Sequence, residues 1–182
     1  MTRNRIVIAL GSNLGDPAES ITSALTRIAS ELGPILNVSS LYETLPLSVP
    51  GQPDLKQLNF LNCVALVETQ LTAPKALSTL LSIESELGRN RKETVKWGPR
   101  TIDLDLIAFG NEVSDSSPSL CLPHPRFYQR DFVLYPLKEV FSDFRDPRSG
   151  KAIDSLISEY EASGAEKTIL RVLSLSQRAS SS

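Results

Sequence analysis

Two aspartates stand two residues apart in Thr101-Ile102-Asp103-Leu104-Asp105-Leu106-Ile107-Ala108-Phe109, a run whose alternation predicts a strand. Successive strand side chains point to opposite faces. Asp103 and Asp105 therefore share a face with Thr101, Ile107 and Phe109, and Ile102, Leu104, Leu106 and Ala108 take the other. A rise of about 3.3 Å per residue sets the two carboxylates roughly 6 to 7 Å apart at the backbone, where they repel unless a cation lies between them. Hard oxygen ligands of this kind suit Mg²⁺, which takes one or two carboxylates together with substrate phosphates. A solvated strand face carries the same alternation, so the pair alone leaves both readings open.

Immediately upstream, Arg89, Arg91, Lys92, Lys96 and Arg100 gather in one segment of a chain whose formal net charge is -2 and whose pI is about 5.5. Arginine forks and lysine point charges in such a cluster can clamp a polyphosphate, although a charge run is also what a solvated loop looks like. The overall acidity argues against a non-specific nucleic-acid binder, which needs a clear basic excess. Trp97, the single tryptophan, can stack on a ring or anchor the loop. The single histidine, His124, sits between Pro123 and Pro125, where the backbone is held extended. It can donate to a phosphate or act as an acid, and a satisfied structural polar group is the plainer alternative. Gly11-Ser12-Asn13-Leu14-Gly15 joins a strand to a helix N-terminus and so resembles a phosphate cradle. Walker and dinucleotide glycine motifs are absent, as are CxxC, HExxH and GxSxG.

The elements that must position these residues follow from periodicity. Ile6 to Leu10 predicts a buried strand. Asp16-Pro17-Ala18-Glu19 supplies an N-cap, a proline at the first helical position and an acid three residues after the cap, and Ile21, Ala24, Leu25, Ile28 and Leu32 form the apolar stripe before Gly33-Pro34 ends the helix. A second strand is expected near Ile35 to Tyr42. A third, from Phe60 to Glu68, places Leu61, Cys63, Ala65 and Val67 on one face and Asn62, Val64 and Leu66 on the other. The loop between them carries Pro46, Pro50, Gly51 and Pro53 and is long enough to suggest function. A second helix, Pro74 to Leu87, has Leu77, Leu80, Leu81 and Leu87 as its stripe, with Glu84 inside it, where a carboxylate must be paired or functional. Further on, Leu134 to Phe141 is apolar and Ile153 to Glu161 predicts a modest helix.

The order strand-helix-strand-strand-helix-strand predicts an α+β fold, a ferredoxin-like core with a largely antiparallel sheet and helices packed on it in α/β/α layers. With 182 residues, 41% of them hydrophobic and 22% charged, one domain over 1-173 is expected, followed by a flexible Ser-rich tail at 174-182. The opening Met-Thr-Arg-Asn-Arg runs straight into a strand-like segment, no apolar run approaches a membrane span, and Cys63 reads as a buried thiol; together these predict a cytoplasmic protein.

Taken together, Ala9-Leu10-Gly11-Ser12-Asn13-Leu14-Gly15, Leu61-Asn62, Gly88-Arg89, the block Trp97-Gly98-Pro99-Arg100-Thr101-Ile102-Asp103-Leu104-Asp105 and Pro123-His124 closely resemble the 6-hydroxymethyl-7,8-dihydropterin pyrophosphokinases of folate biosynthesis. The resemblance spans residues 6 to about 140. It implies attack of the pterin hydroxymethyl oxygen on the β-phosphorus of ATP, with AMP leaving. By the same resemblance Asp103 and Asp105 bind two Mg²⁺ ions and, with Arg89 and Arg100, form the catalytic group. ATP is then held by Arg89, Arg91, Lys92, Trp97, Arg100, His124 and Arg130. The pterin would lie between Phe60 and Phe132, against Thr44, Leu47, Asn62, Trp97 and Asp103. Glu84, singled out by its helix spacing and not by the resemblance, is expected to support the site from behind. Phe60 stands where other members carry tyrosine, which keeps the stacking face. The implied partners are small molecules, neither nucleic acid nor membrane, with linkage or fusion to dihydropteroate synthase or dihydroneopterin aldolase as a further implication.

Overall fold

The computed structural model describes residues 3–47, 57–89, 98–117 and 120–174. Its core repeats the strand-helix-strand order expected: β1 (Asn4–Ser12), α1 (Pro17–Glu31), β2 (Ile35–Val38), β3 (Leu41–Thr44), β4 (Phe60–Thr69), α2 (Ala73–Glu86) and β5 (Asp103–Phe109). Beyond it come a hairpin, β6 (Ser114–Ser117) and β7 (Leu120–Leu122), then α3 (Asp131–Val140), α4 (Ile153–Ala162) and β8 (Ile169–Leu173). The main sheet runs β5-β1-β4-β3-β8, with β2 also on β4, and every pairing is antiparallel. The ferredoxin-like core is thus present, extended by β8 at one edge.

Two apolar layers hold helices to the two faces. Ile6, Ile8 and Leu10 of β1 and Leu61, Cys63, Ala65 and Val67 of β4 face α1 and α2, and Val7, Val64 and Leu66 face α3 and α4. Each fully buried Leu or Ile here contributes about 1.5 to 3 kcal/mol. Helix α1 starts where expected, because the Asp16 carboxylate accepts from the Ala18 and Glu19 N–H groups at 3.1 Å.

Three expectations need correction. The stretch from Ile35 to Tyr42 is two strands, because buried Ser39 interrupts it: its hydroxyl accepts from the Val64 N–H at 3.0 Å while the Ser40 N–H turns to Glu139. In α2, Leu81 is 38% exposed and the stripe passes instead through Ala76, Leu80, Ile83 and Glu84. In β5 the strict alternation fails after Ile107. A register shift against Val7 and Ile8 puts Ala108 beside Ile107 on the α3 face and turns Phe109 to the α1 face. Asp103 and Asp105 precede the shift and keep their common face. No described helix is long and apolar enough to cross a membrane, and Cys63 and Cys121 are both free thiols.

Candidate active site

Along the α3 face of β1 the side chains shrink from Val7 through Ala9 to Gly11, which opens a pocket at the end of the sheet. Strand pairing sets what surrounds that floor. Gly11 lies between Asn62 of β4 and Asp103 of β5, and Ala9 lies beside Asp105. A methyl group on Gly11 would stand 2.6 Å from Asn62 Oδ1, so only glycine allows the amide to lie across the floor. Asn62 Nδ2 donates to Thr44 Oγ1 at 2.8 Å, which leaves its carbonyl oxygen toward the pocket. Thr44, Pro46, Leu47 and Phe60 form one wall, and Phe132 and Val133 of α3 form the other.

The charged end is a network of alternating sign. Asp103 accepts from Arg89 Nη1 on one oxygen and from Arg100 Nη1 on the other. Arg89 Nη1 also donates to Glu84 Oε1 at 2.5 Å, and Arg130 Nη1 donates to Asp105 Oδ2 at 3.0 Å. Burial opposes ionisation of Asp103, but the Arg100 and Arg89 guanidiniums outweigh it and hold the carboxyl below its ordinary range. Burial likewise opposes charge on Arg89, and Asp103 with Glu84 overcomes it and raises that group. Glu84, 1% exposed, accepts a 2.7 Å bond from the Leu104 N–H as well. One carboxylate on α2 thereby fixes both an arginine and the strand between the two aspartates. The Arg130 guanidinium lies 5.7 Å from the Phe132 ring centroid, which ties the charged end to the aromatic wall.

Arg100 is placed by the Gly11-Ser12-Asn13-Leu14-Gly15 turn, and this overturns the phosphate-cradle reading. The Asn13 and Leu14 N–H groups both donate to the Arg100 carbonyl, at 3.1 and 3.2 Å, and Asn13 Oδ1 accepts the Arg100 N–H at 2.8 Å. Those amides are occupied, and Asp16 caps the helix behind them. Asn13, to which the sequence assigned no role of its own, also donates from Nδ2 to the Leu58 carbonyl at 3.1 Å, securing the approach to Phe60. Its only signal was its place in that turn.

His124 donates its N–H to the Ile107 carbonyl at 2.8 Å, and its Nδ1 accepts the Arg126 N–H at 3.2 Å. Nε2 therefore carries the ring proton. Burial lowers its pKa first; Arg130 and Arg126 add to that, against the opposing pull of Asp105. The structure thus gathers Thr44, Leu47, Phe60, Asn62 and Phe132 around one pocket, with Arg100, Asp103, Asp105 and Arg130 at its charged end. Arg89 and Glu84 stand directly behind Asp103, and His124 lies within the field of Asp105. Arg91, Lys92, Lys96 and Trp97 fall outside the described residues, as do Pro50, Gly51 and Pro53 and positions 175–182 of the expected tail.

Residues 7–142 match the family described as 7,8-dihydro-6-hydroxymethylpterin-pyrophosphokinase (HPPK). The chain is 40% identical over 166 residues to a 2-amino-4-hydroxy-6-hydroxymethyldihydropteridine pyrophosphokinase of Pseudomonas aeruginosa, covering 90% of this chain and 96% of that one. With the Synechocystis protein of the same name it shares 39% over 156 residues, 85% of this chain and 75% of that one. A folic acid synthesis protein of Pneumocystis carinii is 38% identical over 82% of this chain, which spans 19% of that longer protein. The fold is shared with a crystal structure of an HPPK-DHPS in complex with substrates, at a TM-score of 0.67 and 18% identity, over 89% of this chain and 44% of that one. A Plasmodium falciparum HPPK-DHPS triple mutant gives a TM-score of 0.67 and 16% identity, over 88% and 45%. With a family match over most of the chain and two relatives about 40% identical covered over 96% and 75% of their length, this chain belongs to the 7,8-dihydro-6-hydroxymethylpterin-pyrophosphokinase family and is an enzyme of that class.

Proposed function

We propose that the chain transfers pyrophosphate from ATP to the hydroxymethyl oxygen of 6-hydroxymethyl-7,8-dihydropterin in a Mg²⁺-dependent step of folate biosynthesis. The observation that carries this reading is the junction of two unlike surfaces: an aromatic-walled, glycine-floored slot that opens directly onto paired carboxylates ringed by arginines. A flat heterocycle fits the slot between Phe60 and Phe132, and the amide of Asn62 can read its edge. Arg89, Arg100 and Arg130 can exchange their carboxylate partners for phosphate oxygens, since a guanidinium binds either group with the same fork. The Nε2–H of His124 supplies a further donor to the polyphosphate.

The donor set also suits the metal. Asp103 and Asp105 offer hard oxygens, and Asp103 is held ionised. Among the described residues no group of three or more His, Cys, Asp or Glu could form an all-protein cage. Two carboxylates fit Mg²⁺, which is completed by water and substrate phosphates. When bound, two such ions would neutralise the polyphosphate and lower the pKa of the attacking hydroxyl. The new bond joins the hydroxymethyl oxygen to the β-phosphorus, the bond from that phosphorus to the bridging α-phosphate oxygen breaks, AMP carries that oxygen away, and the hydroxyl proton passes to solvent. The protein's part is to orient both substrates and to balance charge, as phosphoryl-type transfer requires. Two free thiols fit a reducing cytoplasmic setting.

The test is an AMP-release assay with the hydroxymethyl dihydropterin, ATP and Mg²⁺. AMP should form in step with pterin pyrophosphate and cease on chelation. Phosphate release from ATP at equal rate without any pterin would instead make the protein a phosphohydrolase.

A further inference from the structure

Asp131 stands between two pocket residues, Arg130 and Phe132, yet its own side chain points away from the pocket and is 2% exposed. Oδ2 of its carboxylate accepts from the Thr168 N–H at 2.6 Å and the Ile169 N–H at 3.2 Å. Oδ1 accepts from the Thr168 hydroxyl at 2.5 Å and the Phe132 N–H at 2.8 Å. Thr168, 1% exposed, uses its remaining backbone group on the opposite wall, since its carbonyl accepts the Leu45 N–H at 2.9 Å. The segment before it is fixed by Tyr160, whose hydroxyl donates to the Glu166 carbonyl at 2.6 Å.

These bonds close a belt around the pocket. Phe60 pairs with Thr44 across β4 and β3, Thr44 pairs with Ile169 across β3 and β8, and the start of β8 is bound to Asp131, whose neighbour is Phe132. The two aromatic walls are thus joined through a threonine that lies beyond residues 7–142, the part that matches the family. A carboxylate in charge-assisted bonds to backbone N–H groups is a stiff connector, because each bond is stronger than a neutral one and the site is dry.

We propose that Asp131 is a positioning residue which, through Thr168, sets the gap between Phe60 and Phe132 and so the affinity of the slot for the pterin ring. This rests on the function proposed above. It requires the pterin, more than the nucleotide, to feel a change at a site that touches neither.

The experiment compares wild type with Thr168→Val, which removes the hydroxyl at nearly constant volume, Thr168→Ser, which keeps it, and Asp131→Asn, which keeps only one acceptor. Binding of 6-hydroxymethylpterin is followed by its fluorescence and binding of a non-hydrolysable ATP analogue by calorimetry. Thr168→Val should weaken pterin binding about tenfold, as expected for one lost hydrogen bond to a charged group, with Asp131→Asn at least as impaired. Nucleotide affinity should change less than threefold, roughly the scatter of a neutral substitution, and Thr168→Ser should restore pterin affinity. Equal losses for both ligands, a serine variant as weak as the valine variant, or wild-type pterin affinity in Thr168→Val would each overturn the proposal. Wild-type protein that binds the ATP analogue but no pterin would refute the proposed function instead. Hydrogen exchange on the free protein then decides: Thr168→Val should speed exchange at both 45–47 and 130–133, and loosening confined to 168–169 would sink the belt.

Discussion

Replacing Glu84 by alanine removes one buried carboxylate and changes two places at once. The Leu104 N–H, held at 2.7 Å in the wild type, loses its acceptor between the two aspartates, and Arg89 loses one of the two carboxylates it is bonded to among the described residues. A stranded buried amide costs about 1 to 3 kcal/mol, and breaking a buried ion pair from one side about 3 to 5 kcal/mol. Both bonds end on the same oxygen, Glu84 Oε1, and their losses do not add in full, so about 3 to 5 kcal/mol is expected for the whole change. At about 2 to 4 °C per kcal/mol for a chain of this size, the melting temperature should fall by roughly 6 to 20 °C. Glu84→Gln keeps an acceptor for Leu104 and loses only the charge, so it should cost about 1.5 to 3 kcal/mol, the worth of a charge-assisted bond. Thermal melts followed by circular dichroism measure both. An alanine variant that melts within about 2 °C of wild type would show that Glu84 holds nothing, and the account of how Arg89 and β5 are anchored would fall with it.

Three other outcomes are expected. Asp103→Asn and Asp105→Asn should each lower turnover by about two to three orders of magnitude, as loss of one preorganised electrostatic group does, while far-UV circular dichroism stays native; near wild-type turnover in either would remove the carboxylates from the chemistry. Gly11→Ala should force Asn62 from the pocket floor, because the new methyl would stand 2.6 Å from its Oδ1; pterin affinity should fall about tenfold, and unchanged fluorescence titrations would contradict the floor geometry. Stability should decline between pH 10 and pH 12. A hydrogen bond to Glu161 raises Tyr135 from its ordinary 10.0 to about 12, and burial does the same for Tyr160. In that window the unfolded phenols have lost protons that the folded ones keep, so rising pH favours unfolding, and a urea midpoint constant from pH 9 to about pH 12 would refute the assignment.

What could be read from the sequence was local. The alternation of β4, the Asp16 cap and the common face of Asp103 and Asp105 depend on periods of two and 3.6 and on residues within one turn. What could not be read depended on a partner strand or helix. The shift that turns Phe109 around belongs to the pairing of β1 with β5 and is invisible in either strand alone. Leu81 shares the spacing of a core residue, but the helix packs through smaller Ala76 and through Ile83. The hairpin of Ser114–Ser117 with Leu120–Leu122 has few β-branched residues to announce it, and β8 exists because β3 offers an edge. The turn at Gly11 to Gly15 looked like an anion site because its true occupant, the Arg100 backbone, lies 87 residues away.

That last contact bears on modularity. Asn13 and Leu14 grip Arg100 by its backbone, through both its N–H and its carbonyl, so the identity of the side chain at position 100 does not affect the grip. The hand and the glove can be varied separately: position 100 can be mutated without moving its peptide unit, whereas residues 98–105 grafted onto another scaffold would bring the aspartates and the arginine but leave behind the clamp that aims them. A designer who wished to transplant this charged end would have to carry the first strand's terminus with it, two pieces of chain that meet only in the finished fold.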